Sequence, residues 1–169
     1  EKFFKKLGYD VVISPKTNKE IMEIGNKISN DEMCLSLKNY LGHVFFLKDK
    51  CDYIVIPRID NYGIENQTCT NFLATYDIIN NLGDFKIINY NINLSNKQTE
   101  IKAFYNIGKK LKIKKSKIKK AYEEAIEESK IEKDQKITNN IRSLKSKKLK
   151  ILLLGHPYNI YDELIGKPI

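Results

Sequence analysis

Short β-branched runs closed by proline or glycine alternate along this chain with helical patterns, and that alternation constrains the fold more than any other feature. Asp10-Val11-Val12-Ile13-Ser14 ends at Pro15, Tyr53-Ile54-Val55-Ile56 at Pro57, and Lys150-Ile151-Leu152-Leu153-Leu154 at Gly155, with a weaker run at Phe85-Lys86-Ile87-Ile88-Asn89. Runs of this length with few internal charges read as strands covered on both faces. Between them, Ile21, Ile24 and Ile28 recur at three- and four-residue spacing and predict a helix over 18–28. Leu37, Tyr40, Leu41, Val44 and Phe45 predict another over 35–47, and Phe72, Leu73, Tyr76 and Ile79 a third over 71–82 before Gly83. Longer, more charged helical patterns occupy 99–111 and 114–144.

Strands alternating with helices imply parallel pairing through crossovers. The expected fold class is therefore α/β, a Rossmann-like three-layer α/β/α domain with a mostly parallel sheet over residues 1–112. A long charged connecting helix follows over 113–148, and 149–169 is expected to hold a returning strand and the start of a second, truncated domain. At about 1.5 Å per residue the 114–144 pattern would run roughly 45 Å, longer than a compact domain is wide. The opening Glu1-Lys2-Phe3-Phe4-Lys5-Lys6 already lies inside an amphipathic helical pattern, so a first strand is expected ahead of residue 1.

Apolar residues at 41% and charged residues at 30% give a globular balance, not a disordered one. No run of about 18 apolar residues or secretory leader pattern is seen, so the expected setting is cytoplasmic and off the membrane. The net charge of +9 is concentrated: residues 101–150 hold 17 of the 30 basic residues and 6 of the 21 acidic ones. The remainder is close to neutral. A basic run at 109–120 invites nucleic-acid binding, but Glu123, Glu124, Glu127 and Glu128 follow at once and suit a solvated helical face. No nucleic-acid motif accompanies it, so that partner is disfavoured.

Three cysteines at wide spacing argue against a disulfide scaffold and for a reducing compartment. Cys34 and Cys69 each precede a predicted helix, where the helix dipole and free N–H groups favour a thiolate. Cys69 also leaves the Tyr53 strand at its carboxyl end, the edge where open α/β sheets collect ligands. Cys51 precedes that strand, so it belongs at the opposite edge, roughly 17–20 Å away, and is read as structural. Lone cysteines are commonly small buried hydrophobes, and spacing alone leaves metal binding open.

At these residues the chain resembles a known family. Phe3 to Ser14, Asp31-Glu32-Met33-Cys34, Gly42-His43-Val44, Asp52-Tyr53-Ile54-Val55-Ile56-Pro57-Arg58 and Gly155-His156-Pro157-Tyr158-Asn159-Ile160-Tyr161-Asp162 look like the domain annexed to CoA-substrate-specific enzyme activases. That domain is itself similar to subunits of 2-hydroxyacyl-CoA dehydratases. The resemblance implies that Cys34 and Cys69 are iron–sulfur ligands for a [4Fe–4S] cluster whose third cysteine comes from a later domain. It implies a redox-associated protein of an anaerobe, with an acyl-CoA substrate and an actin-like ATPase activase or dehydratase as partner. The chain departs from the family where proline often follows each cysteine; Leu35-Ser36 and Thr70-Asn71 stand there instead. A cluster is expected in the full-length protein and not in this stretch by itself.

Other candidates are weaker, and no catalytic residue is assigned. Glu32 could touch substrate or cap the next helix. Arg58 leaves its strand toward the ligand edge and could hold a phosphate or carboxylate, or simply pair on the surface. The glycine turn at Gly155 could bring His156 or Tyr158 to a cleft, on the strength of the resemblance. His43, on the helix behind Cys34, reads as a buried structural histidine. Two functions compete with the redox reading: a non-catalytic interaction module of the same fold, and the disfavoured basic nucleic-acid binder.

Overall fold

The computed structural model describes residues 1–168. Helix α1 spans Lys2–Lys6, α2 Lys19–Ile28, α3 Leu35–Phe46, α4 Thr70–Leu82, α5 Glu100–Lys110, α6 Lys115–Leu144 and α7 Pro157–Ile160. Strand β1 spans Ile54–Asn61 and β2 Ile87–Asn93. The chain divides into two compact units, Val12–Ile107 with Gly155–Ile169, and Glu1–Val11 with Gly108–Leu154.

In the first of these, β1 and β2 pair in parallel, with Ile54 beside Ile87, Ile56 beside Asn89 and Ile59 beside Ile92. Helix α4 makes the crossover between them, as a parallel pair requires. Ile54 and Ile56 are buried whereas Val55 between them is 40% exposed, so β1 buries one face. That face meets Leu37, Leu41 and Val44 of α3 and Ile79 of α4, with Ile87 completing the cluster. Each fully buried side chain of this kind contributes about 1.5–3 kcal/mol. On β2 the opposite face is also occupied, where Tyr90 meets Phe104 of α5 at 5.1 Å between ring centres.

The five longer helices fall where the apolar spacing puts them, to within two residues at either end. The strands do not. β1 runs on through Pro57 to Asn61, with Pro57 opposite Tyr90. A proline is tolerated because β1 has one partner, leaving its other edge free of ladder hydrogen bonds. Neither Asp10–Ser14 nor Lys150–Leu154 forms a strand. Val12 and Ile13 are 50% and 60% exposed, and Leu152 and Leu154 are 80% and 86% exposed. A β-branched sequence becomes a strand only when a neighbour takes its backbone N–H and C=O groups. Among the described residues the sheet is two strands wide, which makes the fold mixed α/β without establishing the three-layer Rossmann-like arrangement.

Helices α2 and α3 cross at two glycines. A Cβ on Gly42 would lie 2.1 Å from the Ile21 carbonyl oxygen, and one on Gly25 would lie 2.1 Å from that of Lys38. Only glycine permits backbone-to-backbone contact of this closeness. The pairing fixes the axis of α3 and hence where its first residue sits.

The other unit is helical. α1 packs along α6 with Phe3, Ile118, Ala121 and Ala125 buried. Lys2 pairs with Glu132 at 2.6 Å and Lys6 with Glu128 at 3.3 Å. Beyond Ala125 the helix carries Ile126, Ile137, Ile141 and Leu144 exposed to solvent. Lys119 and Lys120 lie near Glu123 and Glu124 one turn on, at 3.7 and 3.9 Å, so part of the basic run is balanced within the helix.

Candidate functional site

Cys34 and Cys69 occupy equivalent places in the chain. Each is the N-cap residue of a helix, Cys34 of α3 with φ −64° and ψ 149°, Cys69 of α4 with φ −63° and ψ 151°. Neither thiol bonds the amides of its own helix; the Leu37 and Lys38 amides bond the Cys34 carbonyl oxygen, and the Leu73 amide that of Cys69. Both thiols are free and exposed.

Side chains from the C-terminal segment join the two helix ends. Tyr158 contacts Phe72, three residues beyond Cys69, with ring centres 5.1 Å apart. Its neighbour Asn159 accepts a 2.7 Å hydrogen bond on Oδ1 from the hydroxyl of Ser36, two residues beyond Cys34. Asn71, two residues beyond Cys69, directs its Nδ2 toward the Cys34 sulfur at 4.0 Å. Burial first, and then the charges of Cys69 and Cys34, push the Tyr158 phenol above its ordinary pKa. His156 stacks on the same ring, centres 5.1 Å apart and planes 5° from parallel.

The remaining candidates lie elsewhere. Cys51 packs against the core cluster, half-buried, and its thiol points to the Leu47 carbonyl oxygen at 3.6 Å. Burial, followed by the charge of Asp52, pushes that thiol's pKa up. Glu32 is exposed in the turn before Cys34. Arg58 pairs with Asp77 of α4 at 3.3 Å. Among the described residues, no group of three or more His, Cys, Asp or Glu side chains could hold a metal ion. The donor set at the helix ends is therefore two thiols, half of what a four-cysteine cluster uses.

Sequence reasoning missed Ser36, Asn71, Phe72 and Asn159, all within three residues of a candidate it named. It also missed the polar cluster around His43. The Ser14 hydroxyl lies 2.8 Å from His43 Nδ1, and the Thr17 hydroxyl 3.0 Å from Nε2. Thr17 in turn donates to the Asp162 carboxylate. Burial lowers the pKa of His43, with Asp162 opposing. Burial pushes the Asp162 carboxyl up, but Thr17 and the Leu164 and Ile165 amides outweigh it and hold it below its ordinary value.

A groove of about 480 Å³ begins at Met33, the residue before Cys34, and is walled by Ile28, Ile78 and Leu82 with Asp77 and Asn81 on its rim. No helix of the described residues is long and apolar enough to cross a membrane. A family model described as the CoA enzyme activase uncharacterised domain (DUF2229) matches residues 1–169. No curated protein and no solved structure matches the chain.

Proposed function

The chain belongs to the CoA enzyme activase uncharacterised domain family, and from that premise we propose that it is a dehydratase-like or activase-associated component of a 2-hydroxyacyl-CoA dehydratase-type system. Its Cys34 and Cys69 thiolates supply two ligands to a [4Fe–4S] cluster in the full-length protein. The observation that carries this reading is that the two cysteines cap neighbouring helix ends, with Asn71, two residues beyond Cys69, directing its Nδ2 toward the Cys34 sulfur at 4.0 Å. Two cysteines on adjacent helix ends, each at the positive end of a helix dipole, suit an anionic metal–sulfur group. The cluster, when bound, would pass one electron or bind a carbonyl. The protein's own share is to hold the thiols, place Tyr158 and His156 beside them, and set the local dielectric.

The substrate proposed is an acyl-CoA thioester. The groove walled by Ile28, Met33, Ile78 and Leu82 offers apolar surface to an acyl chain. The partner proposed is an actin-like ATPase activase or a dehydratase subunit. Anaerobic reconstitution with iron and sulfide, followed by metal assay of Cys34→Ser and Cys69→Ser, tests the ligand assignment. Both variants should lose iron, and Cys51→Ser should keep it.

The two-thiol donor set also favours a second reading, an interaction module that keeps the fold without the chemistry. It predicts full folding without iron and no metal uptake by the full-length protein.

A further inference from the structure

The hydrogen bonds around His43 have a single consistent direction. The ionised carboxylate of Asp162 can only accept, so the Thr17 hydroxyl spends its proton there. Thr17 Oγ1 must then accept from His43, which places the ring proton on Nε2. In the neutral ring Nδ1 is then bare and accepts the Ser14 hydroxyl. In that form the histidine is a link with one donor and one acceptor, and burial, which lowers its pKa, favours that form.

Asp162 organises the segment that carries Tyr158. Its Oδ1 takes the Leu164 and Ile165 amides at 2.9 Å each, and its carbonyl takes those of Gly166 and Lys167. Lys16, next to Thr17, also pairs with Glu163 at 2.6 Å. At the other end the Ser36–Asn159 bond ties the same segment to the first turn of α3. Ser36 and His43 lie two turns apart on one side of that helix, so α3 holds the segment at two points.

We propose that the Ser14–His43–Thr17–Asp162 chain is a positioning device that seats the 155–167 segment, and with it Tyr158, against the thiol-bearing ends of α3 and α4. This rests on the reading of Cys34 and Cys69 as the working pair and adds what holds Tyr158 beside the helix ends that carry it. His43, Thr17 and Asp162 are positioning residues, touching neither thiol. Releasing them would free the segment, and Tyr158 with it, from the first turns of α3 and α4.

The test uses hydrogen–deuterium exchange of residues 155–167 in the full chain, compared with that of α3, α4 and the sheet. Thr17→Val removes the linking hydroxyl while keeping the side chain's shape, Thr17→Ser restores it, and Asp162→Asn removes the acceptor charge. Thr17→Val and Asp162→Asn should each raise exchange in the segment about fivefold, the factor one net hydrogen bond provides. Thr17→Ser should behave as the parent. Unchanged exchange, a rise spread equally over α3, α4 and the sheet, or a Thr17→Ser variant as loose as Thr17→Val would each overturn the proposal. If Thr17→Val does not fold, Asp162→Asn decides alone. The exchange readout uses no iron, so failed cluster assembly leaves this result standing, and the reverse holds.

Discussion

Replacing Gly42 with alanine sets two effects of opposite sign against each other. As a helix residue, alanine gains about 0.8–1.0 kcal/mol over glycine. Against that, the new Cβ would lie 2.1 Å from the Ile21 carbonyl oxygen and 3.0 Å from Ile21 Cγ2, where ordinary contact begins near 3.4 Å. The obstacle is backbone, so α2 and α3 must part by more than an ångström. Overpacking of a tight interface costs about 1–3 kcal/mol and occasionally more. With the clash at the upper end of that range, the net expectation is destabilisation by about 2 kcal/mol, a fall in Tm of roughly 4–8 °C for a chain of this size. Gly25→Ala faces the Lys38 carbonyl oxygen at the same 2.1 Å and should behave alike. The double variant should cost less than the sum, because helices already parted for one methyl have room for the other. Urea and thermal unfolding followed by circular dichroism measure all three. A Gly42→Ala protein as stable as the parent, or more so, would refute the close crossing of α2 and α3.

Asn39 lies between Ser36 and His43 on α3, 5% exposed, with neither amide atom bonded. Asn39→Leu, similar in shape and apolar, should stabilise by about 1 kcal/mol in denaturant titration; a loss of that size would show that the amide has a partner. Burial pushes the Tyr40 phenol up to about 12. An acid whose pKa rises on folding contributes stability fully below its unfolded value near 10 and loses it as pH climbs through the folded one. Unfolding free energy should therefore fall by about 2–3 kcal/mol between pH 10 and 12, and Tyr40→Phe should flatten that slope; an unchanged slope would contradict the assignment. Arg58 and Asp77 have side chains 38% and 52% exposed, so Arg58→Ala should cost less than about 1 kcal/mol in the same assay. A much larger loss would mean that Arg58 does more than pair on the surface.

The helices were legible because each writes its own period into the sequence. Ile21 and the isoleucines that follow it mark α2, and Leu37, Leu41 and Val44 mark the buried side of α3 without reference to anything distant. A strand has no such independence. Tyr53–Ile56 and Lys150–Leu154 look alike as sequence, yet Ile54 finds Ile87 beside it and Leu152 stays open to solvent. Pairing partners, not β propensity, separate them. The site divides the same way. Cysteines at helix starts can be read from local pattern, whereas Tyr158 after its glycine turn is reached only through the family resemblance. The Ser36–Asn159 and Thr17–Asp162 bonds join residues 123 and 145 positions apart. Nothing in local spacing announces such contacts, and the role of His43 appears only once they form.

The account stands on two thiols serving one ligand. Its most direct test is iron and acid-labile sulfide bound per full-length protein after anaerobic reconstitution, measured for the parent and for Cys34→Ser, Cys69→Ser and Cys51→Ser. Loss of iron in the first two variants with retention in the third is the result expected. Iron unchanged in both Cys34→Ser and Cys69→Ser, or lost only in Cys51→Ser, would contradict it.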